Sequence, residues 1–327
     1  MRTNLLRGVV VAMILAVAVG ALVVLWGDAP AVLGALSHFP PALIVPVVLL
    51  TMWNYLLRWL RWNYYLRVLG VHDISHADSL LVFLSGFAMG LTPGKSGELT
   101  KSYWLREIAG PDRAPLARTA PIVFAERLVD GIAMLLLATS GLISFRFGGL
   151  ALLLVAAAAC AAIAVVQARP LVHAVLVRLK QRPRLASAAR TLETVYDSAR
   201  ELLTWPRLAL AVGVGVVSWG GECLALYVIL LGLGAEPGLQ LANQATFALA
   251  VGSLVGSASL LPGGIGAAEG TVAAVLDLVA GQPRDVAAAA TLLIRACTLW
   301  FGVALGAAAL LRLSARLVNR ARVSTSV

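Results

Sequence analysis

The sequence predicts an all-α, polytopic membrane protein. Of its 327 residues, 60% are hydrophobic and only 13% are charged, whereas about 25% of the residues of a soluble domain are charged. Apolar runs near the roughly 18–20 residues that a helix needs to cross the hydrocarbon core recur along the whole chain. We therefore expect a single integral membrane domain over residues 1–327, with about six full transmembrane helices and two re-entrant helical hairpins in an inverted repeat.

The predicted spans follow the apolar runs. In chain order they are 8–26, 41–57, 119–145, 149–168, 208–232 and 286–311. The first run has a basic start like a signal peptide, but it exceeds the usual apolar length of about 7–15 residues, so we expect a retained anchor. Between the fourth and fifth spans, 169–206 is basic and has apolar residues at helical spacing, namely Leu192, Val195, Tyr196, Ala199, Leu202 and Leu203. This linker is expected to be an amphipathic, surface-lying cytoplasmic helix.

The net charge of +10 is best explained by membrane topology. Lys and Arg are concentrated near 2–7, 58–67, 101–118, 169–207 and 312–322, whereas the alternate connections contain only Arg146 and Arg284. This alternation is the positive-inside pattern, and it predicts that both termini are cytoplasmic in an inner (plasma) membrane. The same clustering between apolar segments argues against nucleic acid as a partner.

Two short apolar segments, 79–92 and 245–261, each run into a Pro-Gly break with the pattern PGxxG. The first is too short to cross the membrane, and both are followed by polar residues, so each is interpreted as half of a re-entrant hairpin. The tight turns at Gly94 and Gly263 are expected to require a residue without Cβ. Each break is preceded by two glycines four residues apart, which allows close helix approach; these are Gly86 with Gly90 and Gly252 with Gly256.

The two halves of the chain, about 41–147 and 207–312, match in the order of their polar residues. Each break is followed by an acid, Glu98 or Glu269, and then by an arginine inside an apolar span, Arg127 or Arg295. By the charge pattern, the first hairpin enters from the cytoplasm and the second from outside. Inverted repeats with broken helices are typical of secondary transporters, whose substrate site lies near the midplane.

Ionisable side chains inside a membrane are costly and are usually functional or paired. The candidate binding residues are Arg127, Arg295, Lys95, Glu98, Lys101, Glu126, Asp130, Glu222 and Glu269, with Gly94, Gly97, Gly263, Gly264 and Gly266 exposing backbone N–H groups. Arg127 and Arg295 either bind an anionic substrate or serve as ion-pair staples between helices.

Spacing suggests partners for several of these groups. Glu126 and Asp130 are expected to orient Arg127, while Glu98 and Lys101 are expected to form a surface pair at the cytoplasmic mouth of the first hairpin. Glu269 or Glu222 is the expected partner of Arg295. A further hypothesis is that Glu98 and Glu269 exchange protons and couple transport to a gradient.

Nothing in the sequence indicates a cofactor, a metal or an enzyme. The three cysteines and four histidines have no ligand spacing. Gly94-Lys95-Ser96 imitates the end of a phosphate-binding loop, but Met89 occupies the position that requires glycine. No nucleophile and base are paired.

Three stretches, 91–101, 125–130 and 261–270, resemble signatures of the lysylphosphatidylglycerol synthase transmembrane (flippase) family. Lys95 and Lys101 stand where family members often carry arginine, which keeps the charge but loses bidentate geometry. The chain ends at Val327 without the soluble aminoacyl-transferring domain, so synthase activity is not implied.

The resemblance implies a lipid transporter that moves an anionic membrane phospholipid or polyprenyl-linked precursor, as a possible homo-oligomer or part of a biosynthetic complex. The alternative is a non-transporting accessory subunit, or a membrane-embedded enzyme, of glycolipid, isoprenoid or cell-envelope biosynthesis.

Overall fold

The computed structural model describes residues 2–72, 74–92, 97–144, 167–181 and 186–324, together with single positions between 153 and 164. All regular structure in these residues is helical, which confirms the all-α class. The helices are α1 (Arg2–Trp26), α2 (Ala29–His38), α3 (Ile44–Val68), α4 (His76–Met89), α5 (Thr100–Ala109), α6 (Leu116–Ser144), α7 (Arg169–Lys180), α8 (Ala186–Leu202), α9 (Trp205–Gly232), α10 (Leu239–Ala258), α11 (Ala267–Ala274), α12 (Arg284–Arg295) and α13 (Phe301–Ser324). Two of the joints are π-helical turns, Val275–Val279 and Ala296–Trp300.

Within the described residues, three helical stretches are long and apolar enough to cross a membrane unaided: Pro41–Val68, Trp205–Gly232 and Arg284–Leu317. Together with the repeated apolar helices around them, they make this a polytopic membrane protein. Helix α6 covers the predicted span 119–145, and its 29 residues extend roughly 40 Å at 1.5 Å per residue. The predicted span 149–168 and Arg146 lie mostly or wholly outside the described residues.

The amino-terminal span differs from the prediction. A connection was expected over 27–40, but α2 occupies most of it and leaves the end of α1 at an angle of 99°. Gly27 lies at the bend, where a Cβ atom would come within 2.6 Å of the Cβ of Ala288 on α12. The bent pair therefore packs against the other half of the molecule at a point where only glycine fits.

Two parts of the chain contain the same order of elements. In each, a long helix is followed by a half-helix, a Pro-Gly break, a short return helix and another long helix; these are α3 to α6 and α9 to α13. The half-helix α4 begins where the hydroxyl of Ser75 accepts a hydrogen bond from the backbone N–H of Asp78 at 3.0 Å. It ends at Met89, just before the first break.

The two parts pack crosswise. Helix α4 of the first part packs along α13 of the second, and α10 of the second packs along α6 of the first. The long helices α3 and α9 pack against each other at the centre. The approach of α4 and α13 is close, since a Cβ atom at Gly306 would lie 2.6 Å from the backbone nitrogen of Ala88. Each half-helix is therefore held by the last long helix of the opposite part.

The linker over 169–206 forms α7 and α8. It was predicted to lie on the surface, but part of it is buried. Leu192 is 52% exposed, but Leu202 and Leu203 are fully or almost fully buried in the same core as Trp62 and Phe83. The carboxyl end of α8 also packs against α6. The amphipathic face was predicted correctly, and its carboxyl-terminal part is covered by protein.

Candidate functional site

The second Pro-Gly break is a tight turn built from glycines. Gly263 and Gly264 have φ values of +61° and +68°, in the left-handed region that side chains with Cβ rarely adopt. Gly264 also lies against the backbone of Gly256, where a Cβ atom would be 3.0 Å from its Cα. The preceding glycines of α10 are packed as predicted, because a Cβ at Gly256 would lie 2.8 Å from the Cβ of Ala268 on the return limb.

Arg295 and Glu269 hold this turn closed. Arg295 Nε donates to Glu269 Oε1 at 2.6 Å, and its terminal nitrogen donates to the carbonyl of Gly263 at 3.1 Å. The other carboxylate oxygen of Glu269 accepts from the backbone N–H of Gly266 at 2.7 Å, which closes the start of α11. Of the two predicted partners of Arg295, Glu269 is thus the one that pairs with it. This ion pair stabilises the turn.

The first break has an equivalent ion pair. Arg127 on α6 donates to Glu98, which lies on the return limb three residues before Lys101. Gly97 is fixed by a hydrogen bond from its backbone N–H to the hydroxyl of Thr92 at 2.6 Å. Pro93, Gly94, Lys95 and Ser96 lie outside the described residues. Each return limb is therefore joined by its acid to the arginine of the following long helix.

The segment just before the first break lies against the second break. Leu91, which precedes the first break, and Ile265, in the second, are both buried in one apolar cluster. The Cδ2 atom of Leu91 would also lie 3.0 Å from a Cβ at Gly263. The end of the first half-helix is consequently in direct contact with the second break.

A cavity of about 380 Å³ lies between the two parts, beside these tips. Both parts contribute to its wall, and its charged lining residues are Arg58, Glu98, Arg127, Asp130, Glu222 and Arg295. The predicted residues Gly97, Lys101, Glu126, Gly264, Gly266 and Glu269 do not line it, whereas Gly263 does. Arg127 and Arg295 thus approach one polar cavity from different helices.

Arg58 also lines the cavity, although its position in the sequence does not mark it as a site residue. It was counted among the cytoplasmic basic residues because the second span was predicted to end at residue 57. Helix α3 in fact continues to Val68, and Arg58 is only 9% exposed. Its guanidinium lies 5.7 Å from the ring centre of Phe87 and 5.3 Å from that of Trp219. The aromatic residues around it, Trp59 and Trp62, were the available sign that the helix continues.

The structure also corrects the expected partners of the acids on α6. Asp130 pairs with Arg61 at 2.5 Å and with Arg58 at 3.3 Å, so it does not orient Arg127. Glu126 pairs with Lys101 at 2.6 Å. The predicted surface pair of Glu98 with Lys101 is therefore wrong, because each residue faces a different partner and both are buried. The two acids of α6 therefore each pair with a cation from another helix, Glu126 with Lys101 of α5 and Asp130 with Arg61 of α3.

Lys101 belongs to the protein interior. Its side chain is 4% exposed and lies 4.8 Å from the ring centre of Trp62. The glycine Gly86 on α4 makes room for it, since a Cβ there would be 2.8 Å from Lys101 Cδ. We conclude that Lys101 and Glu126 fix the first hairpin and have no access to a ligand in the cavity.

The fold and these contacts define a membrane-embedded helical protein with two hairpin-containing parts around a charged cavity. The chain belongs to the family described as the lysylphosphatidylglycerol synthase TM region, whose family model matches residues 13–306.

Relatives named UPF0104 membrane protein occur in Methanothermobacter thermautotrophicus. One alignment is 26% identical over 329 positions and covers 93% of this chain and 95% of the relative. Another is 33% identical over 135 residues and covers 38% of this chain and 39% of the relative, so in that comparison the chain spans well under half of the relative's length.

Proposed function

We propose that this protein moves an anionic, phosphate-bearing lipid, either a membrane phospholipid or a polyprenyl-linked precursor, between the leaflets of the inner (plasma) membrane. The observation that supports this most directly is the cavity of about 380 Å³ with three arginines in its wall. Pockets that bind small molecules have volumes from about 300 Å³ upward. The cavity is therefore large enough for a lipid headgroup.

Arg127 is the arginine best suited to touch a ligand. Its side chain is 32% exposed although it lies inside α6, and its terminal nitrogen is the atom that pairs with Glu98. Arg295 donates hydrogen bonds from two of its nitrogens, to Glu269 and to Gly263, and its side chain is 17% exposed. A guanidinium binds phosphate through a planar fork of donors, which a lysine cannot reproduce. We therefore assign the main phosphate contact to Arg127 and a supporting one to Arg295.

The rim of the cavity suits a lipid tail. Leu260 and Leu261 line the cavity and are 67% and 43% exposed, so they reach the outer surface of the protein. A lipid bound there keeps its headgroup among charged side chains while its tails remain in the surrounding hydrocarbon. The cost of moving a bare phosphate through the apolar core is then avoided, because the headgroup stays within a polar cavity.

Reconstituted liposomes test the proposal. Phosphatidylglycerol carrying a fluorescent acyl chain is incorporated with the purified protein, and the fraction accessible to an impermeant quencher is followed over time. We expect faster access than in protein-free liposomes. Arg127→Ala should abolish the acceleration, and Arg127→Lys should restore it only in part.

The matched control is Arg106→Ala on α5, which removes an exposed arginine that does not line the cavity. It should behave like the wild type. Equal rates with the wild type and without protein would instead favour the accessory or enzymatic role. Unchanged activity in Arg127→Ala would contradict the assigned phosphate contact.

A further inference from the structure

Glu222 is a buried carboxylate in the cavity wall. It lies on α9 in the sequence Trp219-Gly220-Gly221-Glu222 and is 5% exposed. Among the residues that the structure describes, it forms no ion pair and no hydrogen bond through its side chain. A buried, ionised carboxylate without such contacts is unfavourable unless nearby charges compensate it.

The charged groups around Glu222 come from every helix that meets it at the cavity. Helix α3 contributes Tyr55 and Arg58, the return limb before α5 contributes Glu98, α6 contributes Arg127 and Asp130, and α12 contributes Arg295. The cavity residues of α10 are not titratable. On α9 itself the neighbour is Cys223, which points into an apolar core. Glu222 therefore depends for its compensation on the arginines of the same cavity.

Among the ion pairs that the described residues form around the cavity, one acid, Asp130, is paired with two cations. Three other acids are paired with cations: Glu98 with Arg127, Glu126 with Lys101 and Glu269 with Arg295. Asp130 alone has two, Arg58 and Arg61. One positive charge is therefore in excess at Asp130, and it offsets the negative charge of Glu222. An incoming phosphodiester would compete with Glu222 for that charge.

We propose that Glu222 takes up a proton when the cavity binds a phosphodiester anion, so that the anionic lipid and one proton enter together. This inference rests on the proposed function. A neutral Glu222 leaves the second positive charge beside Asp130 to offset the charge of the phosphate that Arg127 contacts. Without the proton, the phosphate and the carboxylate of Glu222 would be two like charges in one cavity of low dielectric constant, which is strongly unfavourable.

The hypothesis from the sequence assigned proton exchange to Glu98 and Glu269. Both of these acids are held by an arginine, and Glu269 also closes the second turn. Protonating either would break an ion pair that shapes a hairpin. The carboxylate of Glu222 has no such pair to lose, which makes it the better site for a proton that arrives with the ligand.

Proton uptake during binding is the direct test. The purified full chain is titrated with dihexanoylphosphatidylglycerol below its micelle concentration, at several pH values, by calorimetry in buffers of different ionisation enthalpy. For the wild type we expect uptake approaching one proton per bound lipid and an affinity that falls by up to about tenfold per pH unit as pH rises. For Glu222→Gln, which resembles the protonated acid, we expect no uptake and an affinity independent of pH.

Two controls complete the design. Glu236→Gln changes an exposed acid outside the cavity and should retain the uptake of the wild type. Dihexanoylphosphatidylcholine carries its own positive charge and should bind without proton uptake. Inorganic phosphate should bind much more weakly than the lipid; equal affinity would mean that the site serves a free ion.

The outcomes separate this inference from the proposed function. Binding of the anionic lipid by the wild type without proton uptake would overturn the role of Glu222 and leave lipid transport standing. No binding at any pH would overturn both. Uptake that persists in folded Glu222→Gln would assign the proton to another group. If that variant does not fold, the absence of uptake by the wild type with the anionic lipid would still overturn the proposal.

Discussion

Arg295 donates from Nε to Oε1 of Glu269 over 2.6 Å, and this pair joins the last long helix to the return limb of the second hairpin. Arg127 and Glu98 make the equivalent connection at the first hairpin. The side chain of Arg295 nevertheless remains 17% exposed in the cavity wall. Under the proposed function, the same arginine is therefore expected to have two separable effects, one on the stability of the turn and one on ligand binding.

The first prediction separates these effects. Arg295→Ala should lower thermal stability, by an amount corresponding to about 3–5 kcal/mol for a broken buried pair, because Glu269 is left without its cation. Adding Glu269→Gln should restore stability, since the amide oxygen can still accept from Gly266 N–H. Lipid movement should stay absent in the stable double variant. Recovery of movement would show that Arg295 only staples the helices.

The second prediction concerns the buried pair of Lys101 with Glu126. Lys101→Met should destabilise the protein by about 3–5 kcal/mol because it strands a buried carboxylate. Lys101→Met with Glu126→Gln should recover most of that stability and retain lipid movement, because neither residue lines the cavity. Thermal unfolding and the liposome assay measure the two quantities. A stable double variant that moves no lipid would contradict the purely structural role of this pair.

The partly exposed pair of Lys180 with Glu193 is the matched control, with side chains 34% and 28% exposed. Lys180→Met should change the stability by no more than about 1 kcal/mol, because water screens the interaction.

The third prediction tests the second turn. Gly264→Ala should lower thermal stability, because the residue has φ of +68° and its Cβ would be 3.0 Å from Gly256 Cα. A strained left-handed residue costs of the order of 1–2 kcal/mol before any clash is counted. Gly270→Ala is the control, because nothing lies within 4 Å of its Cβ position and alanine favours a helix over glycine. Equal stability of the two variants would contradict the geometry of the turn.

The fourth prediction is the inverted orientation of the two hairpins. Single cysteines at the exposed positions Asp112 and Gln181, in a background without native cysteines, should react with an impermeant reagent only from the cytoplasm. Cysteines at Ser37 and Glu236 should react only from outside. Labelling of positions 112 and 236 from the same side would overturn the inverted repeat.

The sequence predicted those parts of the site that depend on local spacing. The Pro-Gly breaks, the acids after them and the arginines of the next span could be found because each is marked by its neighbours along the chain. The pairing of Arg61 with Asp130 could not, because these residues are 69 positions apart. Counting basic residues also treats a buried arginine as a cytoplasmic one, which is why Arg58 was assigned to the wrong environment.

The crosswise packing has a consequence for the unit of motion in this protein. Helix α4 lies along α13 and α10 lies along α6, so each repeat packs a half-helix against a long helix of the other repeat. The two repeats cannot move relative to each other as rigid bodies without breaking both of these interfaces. A change of access that preserves them must carry each hairpin together with the helix of the opposite repeat, so the boundary between moving bodies does not follow the boundary between repeats in the sequence.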